Sequence, residues 1–386
     1  MNKKLGLAVA GALLAASTTA SAGITIPAGD WTVDIGGNVN AFYTHTESKV
    51  DGADKRDANT IGTGLLPAAF GIGAKSRQND LDVAFQFSFF TGTSSGTNSG
   101  AGNNTLNIRQ AFLTFGDASW GSVKLGRDLG IYGSDAILSD MTLLGVGIGG
   151  PAGGSSTLGR IGSGYIYADW KGQISYTSPN WNGFQVAGGV MEGFSNGKED
   201  MGYEAKATYD FAANDVTGRV WVSGLTQKTD VTAVAAVPGD STHNYVPAVA
   251  AAKYTSRGFD IGAKVAYQGL GLVGYYYDGE GLDGQSVLGG IFNWNGVKSK
   301  DSGGYVQATF VVPTIGTKLG ASWGVSNSKY NSSFDIENES WIVGAYHPLT
   351  KSVNLVAEYT NQEIKNSVGS HKTENDTVSL GAIMFF

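Results

Sequence analysis

The run Leu81-Asp82-Val83-Ala84-Phe85-Gln86-Phe87-Ser88-Phe89 alternates without a break. Leu81, Val83, Phe85, Phe87 and Phe89 share one parity; Asp82, Ala84, Gln86 and Ser88 share the other. A large apolar residue at every second position puts all of them on one face of an extended strand, whereas a helix would scatter them around its circumference. The same alternation returns at 203–211, at 261–267 and, near the start, at 31–43. Most of the strands expected from this pattern run nine to twelve residues. An average strand in a soluble sheet has about six, while a tilted strand needs about 9–11 to cross a bilayer. A soluble sandwich would show the same alternation, so length and connectivity decide between the two.

The connections alternate in length. Short turns fall at 76–79, 116–119, 179–182, 212–215, 313–316 and 347–350, and longer polar loops near 44–63, 92–106, 194–201, 326–339 and 360–376. Short turns on one side and long loops on the other are the arrangement of a transmembrane barrel, and aromatic residues toward the strand ends (Tyr43, Phe89, Tyr176, Tyr209, Tyr359, Phe386) suit its interfacial girdles. The reading is all-β: a transmembrane antiparallel up-and-down barrel of 16 strands, with 14 or 18 also permitted. The strands are expected at 30–43, 65–75, 80–91, 107–116, 120–128, 171–178, 183–192, 202–211, 216–227, 258–267, 271–279, 304–312, 317–326, 340–346, 352–359 and 377–386, with the Ala-rich stretch 245–255 left inside a long loop.

Composition agrees. Of 386 residues 58 are Gly, 41% are hydrophobic and only 15% are charged, yet no apolar run beyond residue 20 is long enough for a membrane helix. The absence of Cys excludes disulfides, thiolate metal sites and a cysteine nucleophile. Residues 1–22 read as a secretory signal peptide: Lys3 and Lys4, an apolar stretch at 5–16, and Ala20-Ser21-Ala22 as cleavage site. Residues 23–386 then form a single barrel domain. Losing two Lys takes the net charge from −7 to −9, which argues against nucleic acid as a partner.

Two stretches carry a resemblance: Arg109-Gln110-Ala111-Phe112, and Trp120-Gly121-Ser122-Val123-Lys124-Leu125-Gly126-Arg127-Asp128 running on to Asp140-Met141. The chain also ends in the alternating strand Val378-Ser379-Leu380-Gly381-Ala382-Ile383-Met384-Phe385-Phe386. Together they resemble the general porins of Gram-negative outer membranes, which are trimeric and sixteen-stranded. That resemblance implies a third loop, here about 129–165, folded into the lumen as a constriction. It sets Asp140 and Asp135 of the loop with Arg109, Lys124, Arg127 and Asp128 as constriction residues. Ala69, where the family often has a wall arginine, and Thr142-Leu143-Leu144-Gly145, in place of Pro-Glu-Phe-Gly, depart from the pattern and leave the ring sparser in charge.

Strand parity points Lys75, Lys124, Lys206, Arg219 and Lys264 into the lumen. Parity around Arg109 is ambiguous, because Phe112 and Phe115 fall on opposite faces, and Arg127 counts outward unless the strand bends there. Opposed Asp and Arg in a narrow lumen would create a transverse field that disfavours apolar solutes. The expected function is passive diffusion of ions and small hydrophilic solutes. By resemblance the assembly is a homotrimer in contact with outer-membrane lipid and lipopolysaccharide, with no cofactor and no enzymatic activity. A substrate-selective porin for sugars, organic acids or aromatic compounds is the alternative, ahead of an outer-membrane enzyme or an adhesive barrel.

Other motifs carry less. The runs 145–150 and 269–274 fit a dinucleotide fingerprint but lack a βαβ context, and read as loop flexibility and a tight turn. His45, His243, His347 and His371 are scattered without metal-ligand spacing. Asp51, Asp54 and Asp57 could take Ca²⁺ or bridge lipopolysaccharide, or simply be solvated.

Overall fold

The computed structural model describes residues 23–51, 54–92, 106–149, 156–193, 200–231, 251–282, 297–331, 334–367 and 371–386. The signal-peptide reading of 1–22 lies outside them. Its strands are β1 Ile24–Ala28, β2 Trp31–Val50, β3 Arg56–Gly62, β4 Ala68–Gln78, β5 Leu81–Thr91, β6 Asn107–Asp117, β7 Gly121–Leu129, β8 Trp170–Thr177, β9 Phe184–Met191, β10 Gly202–Ala213, β11 Val216–Val231, β12 Ala252–Tyr267, β13 Leu270–Glu280, β14 Lys300–Val311, β15 Lys318–Asn331, β16 Phe334–Pro348, β17 Val353–Asn366 and β18 His371–Phe385.

From β4 onward each strand pairs antiparallel with the next, and β18 closes on β2 with Phe385 opposite Asn38 and Thr373 opposite Val50. Sixteen of the eighteen strands form the closed wall, as the alternation implies. The two extra strands lie along β2: β1 pairs with 31–35 and β3 with 42–48, in line with β18 and β4 respectively. Closure is what lets such a sheet sit in hydrocarbon, since an open edge would leave backbone groups unpaired where no water can reach them.

The strands outrun their expected ends on the loop side. β2 continues to Val50, β15 and β16 meet at 331–334, β17 reaches Asn366, and Ala252–Thr255 belongs to β12 instead of a loop. Polar residues there still ladder across strands, as Lys365 does with Glu337 and Lys372 with Glu363, so the sheet continues after the apolar alternation stops. Residues 245–250 lie outside the described residues. The second glycine run behaves as expected: Gln268 (φ 45°) and Gly269 (φ 87°) make the two-residue turn between paired Tyr267 and Leu270, the positive-φ pair that a type I′ hairpin needs.

One parity of each strand faces outward, where among the described residues no further layer of protein covers it. Ile261 is 54% exposed and Val306 56%, and Phe87, Val222, Leu272 and Trp323 share their face. No helix of the described residues is long and apolar enough to cross a membrane, so the crossing rests on the strands.

Candidate functional site

After β7 the chain turns inward. Gly133, at φ 73°, opens the short helix α1 (Ser134–Ser139), followed by a 3-10 turn at Met141–Leu144. The backbone of this segment has few partners of its own, and wall side chains supply them. Glu204 of β10 accepts from the Ile131 and Tyr132 N–H groups at 2.7 and 2.8 Å, and Asp260 of β12 accepts from Gly133 at 3.1 Å. Tyr305 of β14 donates to the Ala136 carbonyl at 2.8 Å, and Gln307 accepts from Met141 N–H at 2.7 Å. Glu358 of β17 accepts from Val146 and Gly147 at 2.9 and 2.7 Å, and from the Tyr346 hydroxyl at 2.7 Å. On the return, Arg160 donates to Ser340 Oγ at 3.0 Å, and Asn338 to the Gly162 carbonyl at 2.8 Å. The segment is therefore laid along the inner wall from β10 to β17. Hydrogen bonds to charged acceptors contribute about 1.5–3 kcal/mol each.

Beneath it the inner wall is not polar. Tyr132, Ile137, Met141, Val146, Tyr165 and Ile166 pack against Trp221, Tyr275, Tyr277, Tyr305, Ile342 and Tyr346 of the strands. Strand parity alone does not reveal this second core. The run Tyr275-Tyr276-Tyr277 is its sign in the sequence, since a strand covered on both faces reads as continuously apolar. Gly147, expected to lend flexibility, is instead a close approach: at φ 65° a Cβ there would lie 2.4 Å from the Gly159 Cα.

The charges expected at the constriction separate into groups. Asp135, buried on α1, pairs with Lys206 at 2.8 Å and Arg219 at 3.0 Å. Arg219 also grips Asp210 through Nε and Nη2 at 2.6 and 2.7 Å, and Lys264 stands directly opposite Arg219 in the β11–β12 register. Burial alone would raise the Asp135 pKa, but the Lys206 and Arg219 charges outweigh it and hold it below the ordinary carboxylate value. A second group lies on β6 and β7. Lys124 pairs with Asp128, Gln110 donates to the same carboxylate at 2.8 Å, and Lys124 sits 4.8 Å above the Phe112 ring. Arg109 lies 4.8 Å over Phe90 and 5.9 Å over Trp170. A register shift between Ser88 and Phe89 brings it inward and resolves the parity conflict around it. Lys75 pairs with Asp34 at 3.0 Å, near the short-turn end of β4.

Two residues fall elsewhere. Asp140 is buried inside the infolded segment: its Oδ1 accepts from Thr142 N–H at 2.9 Å, and its Oδ2 from Tyr165 Oη at 2.8 Å and Arg160 N–H at 3.2 Å. The bend expected at Arg127 is absent. The β6–β7 register is unbroken from Asp117 to Ala111, which keeps Arg127 on the outer face with Val123 and Leu125. Among residues that sequence reasoning did not single out, Glu204, Asp260, Glu358 and Arg160 do the anchoring; inward parity is the signal for the three acids, and a Gly-rich loop offers none for Arg160. Partly buried Leu138, Leu144 and Leu158 pack at the margin of the inner core.

Among the described residues one group carries metal-ligand types close together: His45, Glu47 and Asp57, with ligand atoms within 4.8 Å. Lys55 already pairs with Glu47 at 2.6 Å, and His45 Nδ1 with Asn59 at 2.9 Å.

A family model described as Gram-negative porin matches residues 6–367. No curated protein sequence matches the chain. The fold is similar to the anion-selective porin from Comamonas acidovorans, at 16% identity, 92% of this chain, 100% of that one and a TM-score of 0.61. It is similar to the outer membrane channel DcaP of Acinetobacter baumannii, at 16% identity, 95% and 100% coverage and a TM-score of 0.63. Salmonella typhi OmpF, solved with daunomycin, aligns at 15% identity, 94% and 100% coverage and a TM-score of 0.58.

Proposed function

The chain belongs to the Gram-negative porin family, and we propose that the lumen it builds favours small anions. It is an outer-membrane channel for passive diffusion of small solutes. The family points to a channel rather than an enzyme.

One observation carries the anion preference. Lys264 makes no ion pair among the described residues and stands beside Arg219, while Asp135 and Asp210 offset only Lys206 and Arg219. On β6 and β7, Lys124 is offset by Asp128, while Arg109 lies over Phe90 and Trp170 with Asp169 of the returning segment in its field. Asp140, Asp260 and Glu358 are buried under the infolded segment, and Glu204 is committed to Lys171. The group of Lys206, Arg219 and Lys264 thus leaves one positive charge for passing solutes, although the chain as a whole is acidic. In a narrow, partly desolvated passage such an excess raises the local anion concentration. The test is the reversal potential of reconstituted channels across a salt gradient: the expected sign is that of anion preference, and a cation-selective potential would overturn the reading.

A second reading, a channel for amphipathic organic anions, draws on Leu138, Leu144 and Leu158, partly buried apolar side chains of the infolded segment at the margin of the inner core. Saturable block of conductance by an aromatic carboxylate, absent with acetate, would favour it.

We further propose export by the leader 1–22 and assembly as a homotrimer. A trimer form of Vibrio cholerae OmpT is among the structures with this fold. Native mass spectrometry should read three copies; a single-chain mass in mild detergent would count against it.

A further inference from the structure

We propose that the outer face of the barrel, at the loop-side ends of β2 and β3, holds a divalent cation of the zinc type, with His45, Glu47 and Asp57 as its protein ligands. The β2–β3 register places Glu47 directly opposite Asp57, and His45 opposite Asn59. One ligand atom from each of the three lies within 4.8 Å of the other two. Zinc bonds of about 2.0–2.2 Å hold ligand atoms roughly 3.4 Å apart, a difference that rotation of the Glu47 and exposed Asp57 side chains closes. The three residues share the outward parity of Tyr43 and Ile61, so the site stands on the outer surface above the apolar band, away from the lumen.

Three features point to such an ion. First, the imidazole is prepared for it. Tyr43 Oη donates to Asn59 Oδ1 at 2.6 Å, and His45 Nδ1 lies 2.9 Å from the same oxygen. An amide oxygen only accepts, so Nδ1 carries the proton and the other ring nitrogen keeps its lone pair. A hydrogen bond of this kind orients the ring of a metal-bound histidine and raises its basicity. Second, the carboxylates crowd one another. Glu47 has Asp57 directly opposite on β3 and Asp376 directly opposite on β18, and like charges so placed repel. Asp376 is fixed there by Tyr359 Oη at 2.6 Å and Asn361 Nδ2 at 3.0 Å. Third, a cation is already drawn to the group. Lys55 reaches Glu47 at 2.6 Å and lies in the field of Asp57 and Asp376, on a side chain 55% exposed that an ion can displace. Lys49, the next outward residue of β2, stands opposite Glu374, so three carboxylates share one ammonium. An imidazole with two carboxylates suits a borderline ion that keeps a fourth position for water, whereas Ca²⁺ and Mg²⁺ take about six or more oxygens. Bound there, the ion would tie the short strand β3 to β2 beside the β2–β18 seam.

The test is isothermal titration calorimetry of the untagged, detergent-purified full-length channel, stripped with EDTA and titrated with ZnCl₂ or CaCl₂. Wild-type protein should bind one Zn²⁺ per chain at this site, at least tenfold more tightly than Ca²⁺. His45→Gln removes a ligand and Asn59→Ala removes only its support; each should weaken Zn²⁺ binding about tenfold or more. Lys55→Gln, which takes away the competing ammonium, should strengthen it. Single-channel conductance of all three variants should match wild type, because none of these residues faces the lumen; this shows that the barrel has folded and separates failure of the metal site from failure of the channel reading. Ca²⁺ binding as tightly as Zn²⁺ would overturn the proposal, since an acidic surface alone would then account for it. So would an unaltered Zn²⁺ affinity in a conducting His45→Gln or Asn59→Ala channel, or weaker binding in Lys55→Gln.

Discussion

Asp135 of the infolded segment lies 3.0 Å from Arg219 of β11, and the same guanidinium holds Asp210 with its other nitrogens. The acid thus meets the basic wall by contact, where a transverse field would need the two separated across open water. Much of the charge expected to act at a distance is neutralised in place, and Lys264 beside it has no ion pair among the described residues.

Replacing Asp135 with Asn removes one acid from that group and leaves Lys206 and Arg219 underpaired. The anion-to-cation permeability ratio should rise about two-fold or more. Reversal potentials in a tenfold KCl gradient read it, and a shift toward cations would contradict the charge balance.

The same carboxylate sets a pH window. Its folded pKa is lowered, so its stabilisation of the infolded segment is complete above the unfolded value of about 3.9 and is lost as pH falls through the folded value. Conductance should be flat from about pH 7 to about pH 5 and change only below about pH 4, and Asp135→Asn should remove that acid limb. A transition centred near neutral pH would show that another group controls the segment.

Asp140→Asn should act differently from Asp135→Asn. Both carboxylate oxygens are occupied inside the segment, so ion selectivity should hardly move, while losing acceptor capacity for Tyr165 and Arg160 should cost about 1–3 kcal/mol locally. Noisier single-channel traces at an unchanged reversal potential are expected. A large selectivity shift would place Asp140 at the water.

Glu358→Ala leaves the Val146 and Gly147 N–H groups without their acceptor, at about 1–3 kcal/mol each. Those amides should exchange with solvent tenfold or more faster, while amides of β14 and β15 stay protected. Uniform acceleration throughout the barrel would mean that the variant unfolds as a whole.

Arg127→Gln should leave selectivity unchanged, because the unbroken β6–β7 register holds Arg127 on the outer face. An altered reversal potential would require its side chain to reach the lumen after all.

The wall was legible because lipid imposes a strict rule: every second residue of a crossing strand must be apolar, and Phe85, Phe87 and Phe89 state it directly. The lumen imposes no such rule. Tyr275 and Tyr277 face inward against another part of the chain, and nothing in a two-residue period distinguishes a side chain meeting water from one meeting Tyr165 or Tyr132. Arg109 depended on a single-residue register shift that periodicity cannot express. Asp140 matched a familiar loop position, yet the orientation of its side chain is set by Tyr165 and Arg160, 25 and 20 residues further on.

The seam between β2 and β18 joins the strands most distant in sequence, Val50 with Thr373 and Asn38 with Phe385, while the other wall contacts are mainly between strands consecutive in the chain. Hairpins can form as the chain is delivered, but the ring cannot shut until its last strand arrives. Until then β2 and β17 each present a long row of unpaired amides and carbonyls, the template for adding strands from another molecule. Assembly therefore has one vulnerable interval, and any factor that shields those two edges would govern yield more strongly than the stability of the finished barrel.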